Sequence, residues 1–171
     1  MRRLHAAFFV LAAATALSIA HPAASQTKLI PLPRVKIGAF FPTDTTLRNV
    51  AGNTWFKVGA DIGVPFSLIP LGSARVGIDY VANGSSNIVP ITLVQTFQPS
   101  VGLSLPVYVG AGIGLWTGHI QGSGTSTEFG LRLVGGSGLG KRLFLEVQYD
   151  IVKHLGSARA DGFSVLVGTQ F

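Results

Sequence analysis

The final ten residues, Gly162-Phe163-Ser164-Val165-Leu166-Val167-Gly168-Thr169-Gln170-Phe171, read as one extended strand. Successive β side chains point to opposite sides of a strand. Phe163, Val165, Val167, Thr169 and Phe171 therefore share one face, and Ser164, Leu166, Gly168 and Gln170 share the other. The sequence stops on Phe171 without a polar tail, whereas the last residues of a soluble domain commonly fray into water. This ending points to an apolar solvent, lipid, against the Phe163, Val165, Val167 and Phe171 face.

The same alternation recurs upstream. Val35, Ile37, Ala39 and Phe41 alternate with Lys36, Gly38 and Phe40. Phe56, Val58, Ala60, Ile62 and Val64 oppose Trp55, Lys57, Gly59, Asp61 and Gly63, and Ala74, Val76, Ile78, Tyr80 and Ala82 oppose Ser73, Arg75, Gly77, Asp79 and Val81. A fourth stretch, 88–97, is apolar on both faces and contains Pro90, which removes a ladder donor and belongs at a strand end or a bulge. Val107, Val109, Ala111, Ile113 and Leu115 then oppose Tyr108, Gly110, Gly112, Gly114 and Trp116. Thr127, Phe129, Leu131 and Leu133 oppose Glu128, Gly130, Arg132 and Val134, and Leu143, Leu145, Val147, Tyr149 and Ile151 oppose Phe144, Glu146, Gln148, Asp150 and Val152. With the closing strand the count is eight, an even number that returns both ends of the sheet to one side. Charged residues make up only 12% of the chain, Gly reaches 22, and no helix-length amphipathic pattern appears in the body. The expected fold is all-β: an eight-stranded antiparallel up-and-down transmembrane β-barrel spanning 34–171. Polar stretches 43–53, 83–87, 119–126 and 153–161 read as loops at one end, 66–72 and 98–105 as turns at the other, and Gly135 to Lys141 as a further turn.

Alternation alone does not say which face is inside; a soluble lipocalin-like barrel would turn its apolar face inward. The glycines decide. Gly38, Gly59, Gly63, Gly77, Gly110, Gly112, Gly114, Gly130 and Gly168 all lie on the polar register, and an eight-stranded barrel has an interior just wide enough for side chains to fill. Small residues belong where space is short, so the polar register faces in and the Val/Leu/Ile/Phe register faces out, into a bilayer. Lys36, Lys57, Arg75 and Arg132 then share the interior with Asp61, Asp79, Glu128, Glu146 and Asp150. Buried charges must pair, so these nine residues are expected to form an interior charge network that largely closes the tube.

Residues 1–25 carry the three parts of a secretory signal peptide: basic Arg2 and Arg3, an apolar run from Ala6 to Ala20, and the small residues Ala23-Ala24-Ser25. Cleavage before Gln26 leaves a short Pro-containing leader, 26–33, ahead of the barrel. Without Arg2 and Arg3 the formal charge falls from +6 to about +4. There is no basic stripe interleaved with aromatics, so no nucleic-acid partner is expected. The absence of cysteine excludes both a disulfide staple and a lipid-modified amino terminus.

Residues 34–171 resemble the OmpA/OmpX-type superfamily of small bacterial outer-membrane β-barrels. The resemblance rests on Gly38-Ala-Phe-Phe-Pro-Thr-Asp44, on Pro106-Val-Tyr-Val-Gly-Ala-Gly-Ile-Gly114, and on the ending at Phe171. It implies an outer-membrane location, a monomer surrounded by lipid, and loops that meet an extracellular ligand. It also implies that Phe163, Val165, Val167 and Phe171 form the signal read by the barrel-assembly machinery.

Motifs for chemistry are sparse. Gly135-Gly-Ser-Gly-Leu-Gly-Lys141 matches the start of a phosphate-binding loop, but Arg142 stands where a Mg²⁺-holding Ser or Thr is required. A hairpin turn explains the stretch better. His154 and Ser157 echo the His and Ser of lipid A deacylases, with Asp150 as the one available orienting carboxylate. His119 and His154 lie on separate loops without metal-ligand spacing, so neither metal nor cofactor is expected. A structural or surface-interaction barrel is the preferred reading, ahead of a narrow gated pore for small solutes and, last, a lipid A-modifying enzyme.

Overall fold

A computed structural model describes residues 33–65, 72–99 and 106–171. The signal segment, all but the last residue of the leader, and most of the turns at 66–72 and 98–105 lie outside the described residues. The main strands are β1 (Arg34–Pro42), β2 (Trp55–Val64), β3 (Gly72–Asn83), β4 (Ser86–Phe97), β5 (Val107–Ile120), β6 (Gly124–Leu139), β7 (Leu143–Val152) and β10 (Gly162–Gln170). Each pairs antiparallel with its sequence neighbour, and β10 pairs with β1 from Arg34↔Gln170 to Pro42↔Gly162, which closes the barrel. Closure leaves no sheet edge unpaired.

The faces follow the sequence pattern. Phe56, Ile62, Ile78, Leu115, Leu131, Leu145, Val165 and Val167 point outward, Phe56 with 51% and Leu131 with 46% of its surface exposed. Every charged residue of the barrel strands lies on the inward register. The inner glycines give room to large neighbours on adjacent strands. A Cβ at Gly59 would strike the Asp79 carboxylate, one at Gly77 that of Asp61, and those at Gly130, Gly162 and Gly168 the rings of Trp116, Phe40 and Phe144.

Four features differ from the sequence reading. The stretch 43–53 contains a helix, α1 (Thr45–Ala51), whose first turn is capped by Asp44 accepting from the Leu47 N–H at 2.9 Å. Such a cap satisfies a donor that the helix cannot satisfy itself. The supposed loop 119–126 shrinks to a hairpin turn in which Ile120 pairs with Gly124, and the turn read at 83–87 is as tight, with Asn83 paired to Ser86. Gly84, the first central residue of the Asn83–Ser86 turn, has φ 59°, the position at which a type II′ hairpin requires a positive value. The glycine-rich 135–141 stretch is mostly strand, since β6 runs to Leu139 and the chain reverses at Gly140 (φ 82°). Pro90 sits in mid-strand, neither at an end nor at a bulge. The β3–β4 register is the same on either side of it (Ile78↔Ile91, Val81↔Ile88), and the ladder simply lacks the two pairs between. On its other side Pro90 stays paired with Trp116.

The stretch 153–161 holds a small hairpin of β8 (His154–Leu155) and β9 (Ala158–Arg159). With α1 it covers one end of the barrel, the loop end; the other, where β1 starts and β10 finishes, is the terminal end.

Candidate functional site

Midway along the interior, four cations and four carboxylates interlock. Arg132 grips Asp150 through two bonds, Nε to Oδ1 at 2.6 Å and Nη2 to Oδ2 at 2.9 Å, and reaches Asp79 through Nη1 at 2.6 Å. Lys57 Nζ lies 3.6 Å from Asp79 and 3.5 Å from Asp150, and donates to Gln148 Oε1 at 2.7 Å and Ser164 Oγ at 3.0 Å. Lys36 Nζ donates to Asp61 at 2.8 Å and to Glu146 at 3.4 Å, with Asp79 at 3.6 Å. Arg34 reaches Glu146 at 2.8 Å, while Tyr108 donates its hydroxyl to the same carboxylate at 2.6 Å and accepts from Arg34 at 2.8 Å. Gln148 joins the halves by donating to Glu146 at 2.7 Å. Arg132 Nη1 also donates to Thr92 Oγ1 of β4 at 3.3 Å, so the members come from all eight barrel strands and the network exists only when the sheet is closed. Charges taken out of water need such multiple partners, because one Coulomb contact does not offset their desolvation.

Of the nine expected network residues, seven are joined: Lys36, Lys57, Asp61, Asp79, Arg132, Glu146 and Asp150. Glu128 stands apart. It is half-buried at the loop-side rim opposite Trp116, and its side chain has no ion pair or hydrogen bond among the described residues. An inward register continues into the mouth of a barrel, where water can solvate a carboxylate. Arg75 is inside but enters no ion pair among the described residues. Arg34, missed from the sequence, is 4% exposed and packs its guanidinium 3.6 Å from the Phe144 ring centre. It shares the register of Lys36, which would have identified it.

Towards the loop end the interior becomes apolar. Phe40, Trp55, Val81, Ile88, Trp116, Ile120 and Val152 point in from the strands, and Leu47, Ala51, Leu155, Ala158 and Ala160 press down on them from α1 and the 153–161 loop. Leu47, Trp55 and Leu155 have no exposed surface. Phe40 and Trp55 meet edge to face at 6.2 Å, and Trp55 Nε1 donates to Gly52 O at 3.0 Å. The 153–161 loop is tied down by Asp161, whose side chain accepts from the Val152 N–H at 2.7 Å and whose carbonyl accepts from the Thr43 N–H at 2.9 Å. Charged layer and apolar vault meet through Lys57, 6.0 Å from the Phe40 ring centre, and Arg132, 5.6 Å from that of Trp116.

The deacylase-like residues are not brought together. Asp150 is held inside by Arg132 and Lys57, Ser157 Oγ bonds Ser123 Oγ at 2.6 Å, and the exposed His154 side chain has no hydrogen bond among the described residues. No cluster of three metal-binding side chains occurs among the described residues.

A closed eight-stranded antiparallel barrel, apolar outside and filled with charge pairs within, has the architecture of the small outer-membrane barrels. Among solved structures, the chain is similar to the crystal structure of Neisserial surface protein A. The TM-score is 0.58 at 13% identity, over 81% of this chain and 96% of that one. At that identity the likeness establishes the fold. No protein-family model matches the sequence, and no curated protein matches it by sequence.

Proposed function

We propose that the protein is a bacterial outer-membrane barrel with a structural or surface-interaction role and a non-conducting interior. The observation that carries this reading is the double closure of the tube: an interlocked charge layer at mid-depth and an apolar vault above it, sealed by α1 and the β8–β9 hairpin. A pore needs a continuous polar path, and the vault interrupts one.

The membrane assignment is supported by the outward apolar surface, which water would not tolerate over so large an area. Outward aromatics Phe41, Phe56, Tyr80, Tyr149 and Phe163 lie near the loop-side ends of their strands, with Phe41 and Phe163 stacked at 4.8 Å. Aromatic girdles of this kind sit at bilayer interfaces. In this reading lipid covers Val165 and Val167, and the outer face of the loop end meets an extracellular partner. The similar Neisserial protein, named a surface protein, fits the same role.

The test is reconstitution in planar bilayers beside fractionation of cell envelopes. The protein is expected in the outer-membrane fraction and to produce no discrete conductance steps. Steady steps from the unaltered protein would favour the gated pore, and recovery in the soluble fraction would overturn the membrane assignment.

A further inference from the structure

None of the chain's seven carboxylates stands on the outer wall of the barrel. Asp61, Asp79, Glu146 and Asp150 belong to the interior layer, and Glu128 lies on the inward register at the rim. At the loop end Asp44 caps α1, while Asp161 accepts from the Val152 N–H and pairs with Arg159 at 2.6 Å. Arg48, Lys141, Arg142 and Lys153 are exposed, and their side chains have no ion pair or hydrogen bond among the described residues. The charge left on the surface is positive at both rims.

Strand β7 gives these cations a depth. Its outer face runs Leu143, Leu145, Val147, Tyr149 and Ile151 without a charge, with Lys141 and Arg142 before it and Lys153 after it. At about 3.4 Å per residue and a tilt of about 40°, Lys141 and Lys153 are separated by roughly 30 Å along the barrel axis, the thickness of a hydrocarbon core. Lys153 therefore lies at headgroup depth. It stands one step past the Gly130↔Val152 pair, which puts Phe129 across from it. Tyr149 lies below on the same face, and the stacked Phe163 and Phe41 continue the aromatic sector onto β10 and β1. Above this sector are the exposed His154 and Arg159, register partners in the β8–β9 hairpin, and α1, which carries Arg48 and packs against β1 and β9. The wall of β5 is different: its outward residues at this end, Thr117 and His119, bond Thr127 and Thr125.

We propose, on the membrane reading given above, that this sector binds a phosphate-bearing lipid, with the phosphate on Lys153 and the acyl chains along Phe129, Ile151 and Tyr149. A lysine at the edge of hydrocarbon lays its stem on apolar surface and keeps its ammonium among the headgroups. An anionic headgroup there supplies the counter-charge that no carboxylate of the chain offers. Arg48, and Arg159 despite its bond to Asp161, add to the positive potential of the same quarter. Free phosphate would meet the cation alone; a lipid meets the cation and the apolar wall together.

Native mass spectrometry of the folded protein in a neutral detergent tests the site with phosphatidic acid and diacylglycerol of matched chains, which differ only in the phosphate. The unaltered protein is expected to retain phosphatidic acid about fivefold better, the change that one basic residue at an anionic surface brings. Lys153→Gln should lose most of that preference and Lys153→Arg should keep it. Lys141→Gln, at the opposite rim, should lose less, and excess inorganic phosphate should not displace the lipid. Equal retention of the two lipids, equal losses in Lys153→Gln and Lys141→Gln, or displacement by inorganic phosphate would each overturn the site. Insertion into phosphatidylcholine vesicles separates this from the membrane reading. A barrel that inserts but shows no preference for the phosphate refutes the site alone; one that enters no bilayer refutes both.

Discussion

Two layers of one tube exclude water in opposite ways. In the loop-end vault, Phe40, Trp55, Trp116, Leu47 and Leu155 fill space with apolar surface, and each contributes through non-directional contact. At mid-depth, Arg132, Lys57, Lys36, Asp79, Asp150 and Glu146 fill the same cross-section with charges that depend on one another. The vault should lose stability roughly in proportion to the volume removed. The charged layer should fail abruptly, since deleting one partner leaves others buried and unpaired. Cooperation also differs in reach. The vault joins loops to strands at one end, whereas the charge network, with Thr92 of β4, links all eight strands around the circumference.

The largest expected effect tests that dependence. Arg132→Ala leaves Asp79 and Asp150 facing each other with only lysines for partners, and should cost about 3–5 kcal/mol of unfolding free energy. Urea unfolding from lipid vesicles measures it; a loss below about 1 kcal/mol would show that the layer does not rely on its central cation.

In the vault, Leu47→Ala should cost about 2–4 kcal/mol, the usual range for a buried Leu left as a cavity. Because Leu47 stoppers the loop end, the same variant should also admit water to the tube, seen as faster amide exchange near Trp55 and Trp116. Unchanged exchange there would separate packing from sealing.

The helix cap offers a smaller, local test. Asp44→Ala removes the bond to the Leu47 N–H and should cost about 1 kcal/mol. Exchange should quicken over 45–51 while the strands keep their protection. General acceleration across the barrel would mean that the lid and the sheet unfold together.

The smallest effect comes from a matched pair of carboxylates. Glu128→Gln should change stability by less than about 0.5 kcal/mol, as surface substitutions do. Glu146→Gln, on the same inward register, deprives Arg34 and Lys36 of a buried partner and should be clearly worse. Equal effects would erase the distinction between rim and interior.

These residues also mark how far the sequence could be read. Period-two alternation puts Lys57, Asp61, Asp79, Arg132 and Glu146 on one face without any knowledge of their neighbours, because the pleat has only two sides. The position of the glycines then says which side is inside, since they occur where Asp79, Trp116 and Phe40 need space. Register does not report depth along the axis, so Glu128 looked equivalent to Glu146. Local composition misjudged the loops as well. Thr45–Ala51 is polar enough to look irregular, and becomes a helix because Asp44 caps it and the vault buries Leu47 and Ala51.

The amino-acid sequence by itself determined the strands, their two faces and which of them turns inward, through side-chain alternation and the need for small residues in a narrow tube. Only the tertiary structure decided which cation meets which carboxylate, that Arg34 belongs among them and Arg75 stands without one, and that two loops fold over the mouth. Those outcomes depend on strand order, stagger and closure, which bring together residues as distant as Arg34 and Glu146; no local pattern encodes a distance across a barrel.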